Sequence, residues 1–158
     1  MIAATRVLKF FIVMLAVQLS LVSCGTKMSK KKKTEVVIAK ARSFTGTPYK
    51  WGGTTSKGMD CSGLLLNSFS AIDYSIPRTS AEQKKIGSRV GKNEIKKGDL
   101  LFFATSNKKR KVTHVGLVTE VQGKNVTFIH ASTSKGVTES SLENAYWDKR
   151  FRQARRLL

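Results

Sequence analysis

The stretch Asp60-Cys61-Ser62-Gly63-Leu64-Leu65-Leu66-Asn67-Ser68-Phe69-Ser70-Ala71-Ile72 decides the fold. Cys61, Leu64, Leu65, Ser68, Phe69 and Ile72 share one face at helical spacing, with Asp60 at the N-cap position, and predict a central helix. Upstream, Val37, Ile38, Ala41 and Phe44 recur with the same period and predict a helix over Glu35 to Ser43, capped by Thr34 and ended by Gly46 and Pro48. Between the two, Tyr49 to Gly58 holds three glycines and no period, the pattern of a loop lying close against something. Downstream, Thr79 and Glu82 predict a capping box for a short third helix that Gly87 stops. From Gly98 onward the period changes to two. Leu100 to Phe103, Thr113 to Val121, Val126 to His130 and Val137 to Ser140 read as strands, with Gln122-Gly123-Lys124-Asn125 as a hairpin connection. Helices followed by consecutive short strands imply an α+β domain with an antiparallel sheet. The run Lys108 to Lys111 reads as a solvated loop tip or as a ligand-binding patch.

With 158 residues, 41% hydrophobic and 25% charged, the chain is one domain's worth. A disordered tail, a collagen-like repeat and a multi-domain machine are excluded. Its 29 Lys and Arg against 10 Asp and Glu give a formal charge of +19, which calls for an anionic partner. Two cysteines are too few to staple a small domain, so the fold rests on its own core.

Residues 1–23 have the layout of an export signal: Arg6 and Lys9 without an acid, then an apolar run from Phe10 to Val22 broken only by Gln18 and Ser20. The run is about 13 residues, short of the roughly 20 that a spanning helix needs. It closes in Leu21-Val22-Ser23-Cys24, which resembles the bacterial lipobox, in which the cysteine takes a diacylglycerol; an ordinary secretory signal is the alternative. Residues 24–34 then form a lipidated cysteine and a basic linker, whose Lys27 and Lys30 to Lys33 serve either as a membrane-binding patch or as a solvated spacer. Seven basic residues precede Thr34 (Arg6, Lys9, Lys27 and Lys30 to Lys33), leaving 22 against all 10 acids, so the domain over 35–158 keeps +12.

Cys61 stands at the start of the predicted helix in Gly58-Met59-Asp60-Cys61-Ser62-Gly63. A lone cysteine is commonly a small core residue. At a helix start, however, unpaired amides and the dipole favour a thiolate and draw the thiol pKa below its usual value of about 8.5. The chain's two histidines both fall in the strand half, His114 heading one strand and His130 ending the next, where a hairpin can set the rings side by side. That is the composition of a thiol nucleophile with a base and an orienting group. Cysteine with two histidines is also a zinc ligand set, though a helix-start cysteine is unusual for one. The bare charge would suit nucleic acid, but an export signal places the domain away from it and no aromatic-interleaved basic strand is present.

Six motifs share their order and spacing with a known family: Gly46-Thr47-Pro48-Tyr49-Lys50-Trp51-Gly52-Gly53, Asp60-Cys61-Ser62-Gly63, Pro77-Arg78-Thr79-Ser80, Gly98-Asp99-Leu100, His114-Val115-Gly116 and Ile129-His130-Ala131-Ser132. Together they resemble the NlpC-type cell-wall cysteine peptidases, and the ending Tyr146-Trp147-Asp148-Lys149-Arg150 is similar to the small lipoprotein murein endopeptidases among them. The resemblance implies a reduced papain-like fold. It implies that Cys61 attacks a peptide carbonyl, that His114 takes and returns the proton, and that His130 orients His114. It also implies an oxyanion site at the Cys61 amide and the Tyr49 hydroxyl, and a substrate groove lined by Tyr49, Asp60 and Ser62. Asp60 reads equally as a helix cap, and Arg78 either as a fork for a substrate carboxylate or as a surface structural residue.

The expected activity is hydrolysis of amide bonds in peptidoglycan stem or cross-linking peptides. The subgroup implies the D-alanyl to diaminopimelate cross-link, and the wider family the bond between γ-D-glutamate and the diamino acid. Stem-peptide carboxylates suit a +12 domain. No metal or organic cofactor is expected. The chain is expected to act as a monomer held by its lipid to a bacterial membrane; Gly25 and Thr26 carry no acidic retention signal, which by resemblance to enterobacterial sorting implies the outer membrane, facing the periplasm. Two rivals are a wall-binding lipoprotein with a dead site and a thiol acyltransferase on the same scaffold.

Overall fold

The computed structural model describes residues 27–106 and 111–158; the signal segment, Cys24, Lys108, Lys109 and Arg110 lie outside the described residues. Helix α1 spans Lys30–Arg42 and α2 spans Cys61–Ser70, with a two-stranded hairpin, β1 (Thr54–Thr55) and β2 (Gly58–Met59), between them. The one-turn α3 (Ser80–Gln83) leads to β3 (Ser88–Val90), and then follow β4 (Leu100–Phe103), β5 (His114–Gln122), β6 (Asn125–Ser132) and β7 (Gly136–Ser141). Helix α4 (Ala145–Arg150) and β8 (Phe151–Arg156) complete the chain. The main sheet has the order β3-β8-β4-β5-β6-β7, antiparallel throughout. Among the described residues no helix is long and apolar enough to cross a membrane.

The first helix begins five residues earlier than its apolar period predicts. Ser29, not Thr34, is the cap, its hydroxyl accepting the Lys32 amide at 3.3 Å, while Thr34 sits inside the helix and donates to the Lys30 carbonyl. Lys30 to Lys33 are therefore helical rather than linker. Four cations at the positive end of a helix dipole are unfavourable, so the helix is held from its other face. Val37, Ile38 and Ala41 are buried there, and Lys97 to Glu35 and Arg42 to Glu139 add ion pairs at 2.8 Å. The capping box expected at Thr79 does not form: its hydroxyl donates to the Glu82 carboxylate, and α3 closes after a single turn.

Helix α2 starts where its period predicts and ends at Ser70, before Ile72. Leu64, Leu65 and Phe69 are fully buried against Leu100, Phe102, Val115, Leu117 and Ile129 of the sheet. Burying a side chain of that size is worth about 1.5–3 kcal/mol, so α2 sets the helix-side core. The loop before it explains its glycines: a Cβ on Gly63 would stand 2.3 Å from the Gly53 carbonyl oxygen, and one on Gly53 as close to that of Gly58. The backbone of the hairpin loop thus lies flat against the first turn of α2. On the opposite face of the sheet, Leu101, Phe103, Val118, Phe128 and Ala154 form a second core, against which Trp147 of α4 and Phe151 at the start of β8 pack. Both elements, like β3, escape a search for apolar alternation.

Candidate active site

Asp60 organises the start of α2. One carboxylate oxygen accepts the Gly63 amide at 2.7 Å and the Ser62 hydroxyl at 2.9 Å, and the other accepts the Gly52 amide at 3.0 Å. Arg78 forks onto both oxygens, at 3.0 and 2.8 Å, and donates to the Ser62 hydroxyl at 2.8 Å. Burial pushes the Asp60 pKa up, but Arg78, the Gly63 amide and Ser62 together hold it below the usual carboxylate range. The guanidinium is raised by the same pairing. Asp60 is therefore a cap as well as part of the cleft wall, and the carboxylate that Arg78 grips is internal.

Cys61, the first residue of α2, is only 7% exposed. Burial pushes its thiol up to about 11, helped by the Asp60 charge, while amides of Val115, Ser62 and Cys61 itself pull it down. This corrects the expectation of a depressed thiol pKa: the helix-start amides are present, but desolvation outweighs them. In the same cleft of about 940 Å³ stand Tyr49, Trp51, Asp60, Ser62, Arg78 and His114. Burial and the nearby Cys61 and Asp60 raise the Tyr49 phenol, which keeps its proton. Of the basic run, Lys111 is described, and it is exposed on the cleft wall.

The β5–β6 hairpin turns at Gly123 and Lys124, with Gln122 paired to Asn125 as expected, and it brings the two histidines together. His114 Nε2 and His130 Nδ1 are 3.0 Å apart. His130 lies behind His114, 1% exposed. Trp147 closes the pair from α4, stacked on His114 at 5.4 Å between ring centres and 23°, and edge-on to His130 at 4.7 Å. A single tryptophan carries no periodic signal that would mark it as a site residue. Among the described residues no group of three or more His, Cys, Asp or Glu is placed to hold a metal ion.

Burial, with the charge of His130 second, lowers His114 to about 3, and burial lowers His130 to about 4. Both rings are neutral near pH 7. An unfolded histidine binds its proton near 6.5, so between that value and the folded ones the unfolded chain holds protons the native state does not. Stability is then complete above about pH 6.5 and falls as pH drops toward 4. The thermal midpoint is expected to follow that course, with a shallower fall in His114→Gln; a midpoint insensitive to pH across this window would contradict neutral buried rings.

The NlpC/P60 family matches residues 46–156, a span that contains Cys61, His114 and His130. The chain is 45% identical over 117 residues to the probable endopeptidase NlpC of Escherichia coli K12, covering 73% of each chain. It is 40% identical over 116 residues to the murein DD-endopeptidase MepS/murein LD-carboxypeptidase of that strain, covering 73% of this chain and 58% of the relative. Over 96 residues it is 44% identical to the γ-D-glutamyl-L-lysine dipeptidyl-peptidase of Bacillus subtilis 168, covering 60% of this chain and 32% of the relative. A crystal structure of an NlpC/P60 family protein from Bacillus cereus superposes with a TM-score of 0.70 at 31% identity, over 78% of this chain and 39% of that one. Helices on a six-stranded antiparallel sheet, the histidine pair at its hairpin and the extent of these matches lead to one conclusion: the chain belongs to the NlpC/P60 family.

Proposed function

We propose that the chain is a cysteine endopeptidase that hydrolyses amide bonds of peptidoglycan peptides, with Cys61 as nucleophile, His114 as general base and acid, and His130 as the residue that orients it. The observation that carries this is the placing of Cys61 and His114 on one cleft, with His114 Nε2 engaged by His130. The engaged nitrogen leaves Nδ1 for the thiol. Sγ attacks the carbonyl carbon as its proton passes to His114 Nδ1, and the tetrahedral oxyanion is met by the Cys61 amide and the Tyr49 hydroxyl. Collapse breaks the C–N bond, the leaving amine takes the proton from His114, and a thioester remains. Water then attacks the thioester, giving His114 a proton, and the acid leaves as Sγ regains that proton.

Ionising either group alone costs a bare buried charge, so the resting site is a neutral thiol and a neutral imidazole. Moving the proton between them makes both charges at once, so each ion forms with its counter-ion in the same cleft rather than alone. The face of Trp147 favours the imidazolium further. Proton transfer therefore belongs with the attack on substrate rather than before it. Iodoacetamide alkylation of the free enzyme is expected to be slow near pH 7 and to climb about tenfold per pH unit toward 11. An inflection at pH 6–8 would instead mean a preformed ion pair.

As substrate we favour the D-alanyl to diaminopimelate cross-link, the DD bond in the name of the 40% identical relative. A γ-D-glutamyl bond is the second reading, favoured by the 44% identical relative. Because Asp60 occupies the Arg78 fork, Lys111 is the described cleft cation available to a stem-peptide carboxylate. Export and lipidation at Cys24 rest on the lipobox resemblance, anchoring to the outer membrane rests on Gly25 and Thr26 carrying no acidic retention signal, and together they complete the reading. Chromatography of muropeptides after incubation tests the function: cross-linked dimers converted to monomers support the first bond, shortened monomer stems the second, and an unchanged profile overturns both.

A further inference from the structure

His130 Nε2 lies 3.0 Å from the Ser140 hydroxyl, while its Nδ1 faces His114 Nε2 at the same distance. Ser140 stands on β7 opposite Phe128, and His130 is paired with Thr138, so Ser140 is the diagonal neighbour of His130 across the β6–β7 ladder. A chain of polar contacts thus runs from the cleft through both rings to the far strand. No sequence motif named Ser140.

A neutral imidazole has one N–H and one bare nitrogen, so the chain can be filled in two ways. In one, His114 Nε2–H donates to His130 Nδ1, and His130 Nε2–H donates to the Ser140 oxygen; His114 Nδ1 is then bare. In the other, Ser140 donates to a bare His130 Nε2, His130 Nδ1–H donates to His114 Nε2, and His114 Nδ1 already carries a proton. Only the first leaves a base for the Cys61 thiol. We infer that Ser140 is a positioning residue, whose oxygen accepts the His130 N–H and thereby holds both rings in the arrangement that keeps His114 Nδ1 free. The half-buried Ser140 can give its own proton to solvent while its lone pair faces inward. That arrangement also puts both protons on Nε2, the tautomer a free imidazole side chain prefers in water. The inference deepens the peptidase reading and rests on it.

Ser140→Val and Ser140→Thr have nearly the same shape and differ in the hydroxyl. With 15N-labelled histidine, the parent and the threonine variant are expected to show protonated Nε2 and bare Nδ1 in both rings. In the valine variant the Nδ1–H form is expected to become populated, with kcat on the cleaved muropeptide down about tenfold and KM held. Should the valine variant fail to fold, Ser140→Ala carries the same expectation. Tautomers or kcat unaltered by loss of the hydroxyl would overturn the inference. If the parent cleaves no muropeptide, the peptidase reading fails instead, and the nitrogen shifts still decide whether Ser140 sets the tautomers.

Discussion

Cys61→Ser is expected to leave muropeptides uncut, with any residual rate about a thousandfold or more below the parent. Sulfur and oxygen are close enough in size that the first turn of α2 keeps its packing, and the thermal midpoint is expected to stay within about 3 °C. The chemistry does not survive the exchange. A hydroxyl holds its proton far more tightly than a thiol, and His114, with its proton affinity drawn down by burial, is too weak a base to remove it. A thiol is far more acidic than a hydroxyl and gives a much more nucleophilic anion, so the neutral resting pair works with sulfur and not with oxygen. Muropeptide chromatography beside a melting curve measures both halves of the expectation. Retained cleavage in the serine variant would remove Cys61 from the mechanism and leave the wall-binding reading to account for the fold.

Asp60→Ala carries the second large effect, this time on stability. It removes the acceptor of two backbone amides and strips Arg78 of its carboxylate. Loss of a helix cap costs about 0.5–2 kcal/mol and stranding a buried ion-pair partner about 3–5. The Arg78 side chain is 37% exposed, so water recovers part of that cost. A fall of about 3 kcal/mol, or roughly 10 °C in the thermal midpoint, is expected. Asp60→Asn separates the parts, because an amide still caps a helix but offers no charge to the guanidinium. It should recover about a third of the loss, whereas full recovery would mean that the Arg78 pair is ornamental.

Cys61, His114 and His130 are legible as candidates because each residue type is rare in the chain, with Cys61 and His114 opening an element, whereas β6 runs two residues past His130 to Ser132. The central helix was legible because Leu64, Leu65 and Phe69 bury one face completely, which forces their spacing. Where burial is two-sided or slight, the signal fades. β8 runs Phe-Arg-Gln-Ala-Arg-Arg and buries only Ala154 fully, yet it lies inside the sheet, laddered to β3 and β4, with Arg156 forked onto Asp99 at 2.7 and 2.8 Å. The start of α1 is hidden because lysines at a helix N-terminus oppose the dipole and mask the cap at Ser29. The thiol's raised pKa was beyond reach for a different reason: a sequence shows the amides at a helix start but not how little water surrounds them.

The last strand of the chain lies between β3 and β4, and the helix just before it supplies the lid over the histidine pair. Without that strand β3 would lose its ladder, β4 would become an open edge, and Trp147 would no longer be held against the two imidazoles. Damage to the last strand would therefore reach the two imidazoles before it reached the helix that carries Cys61.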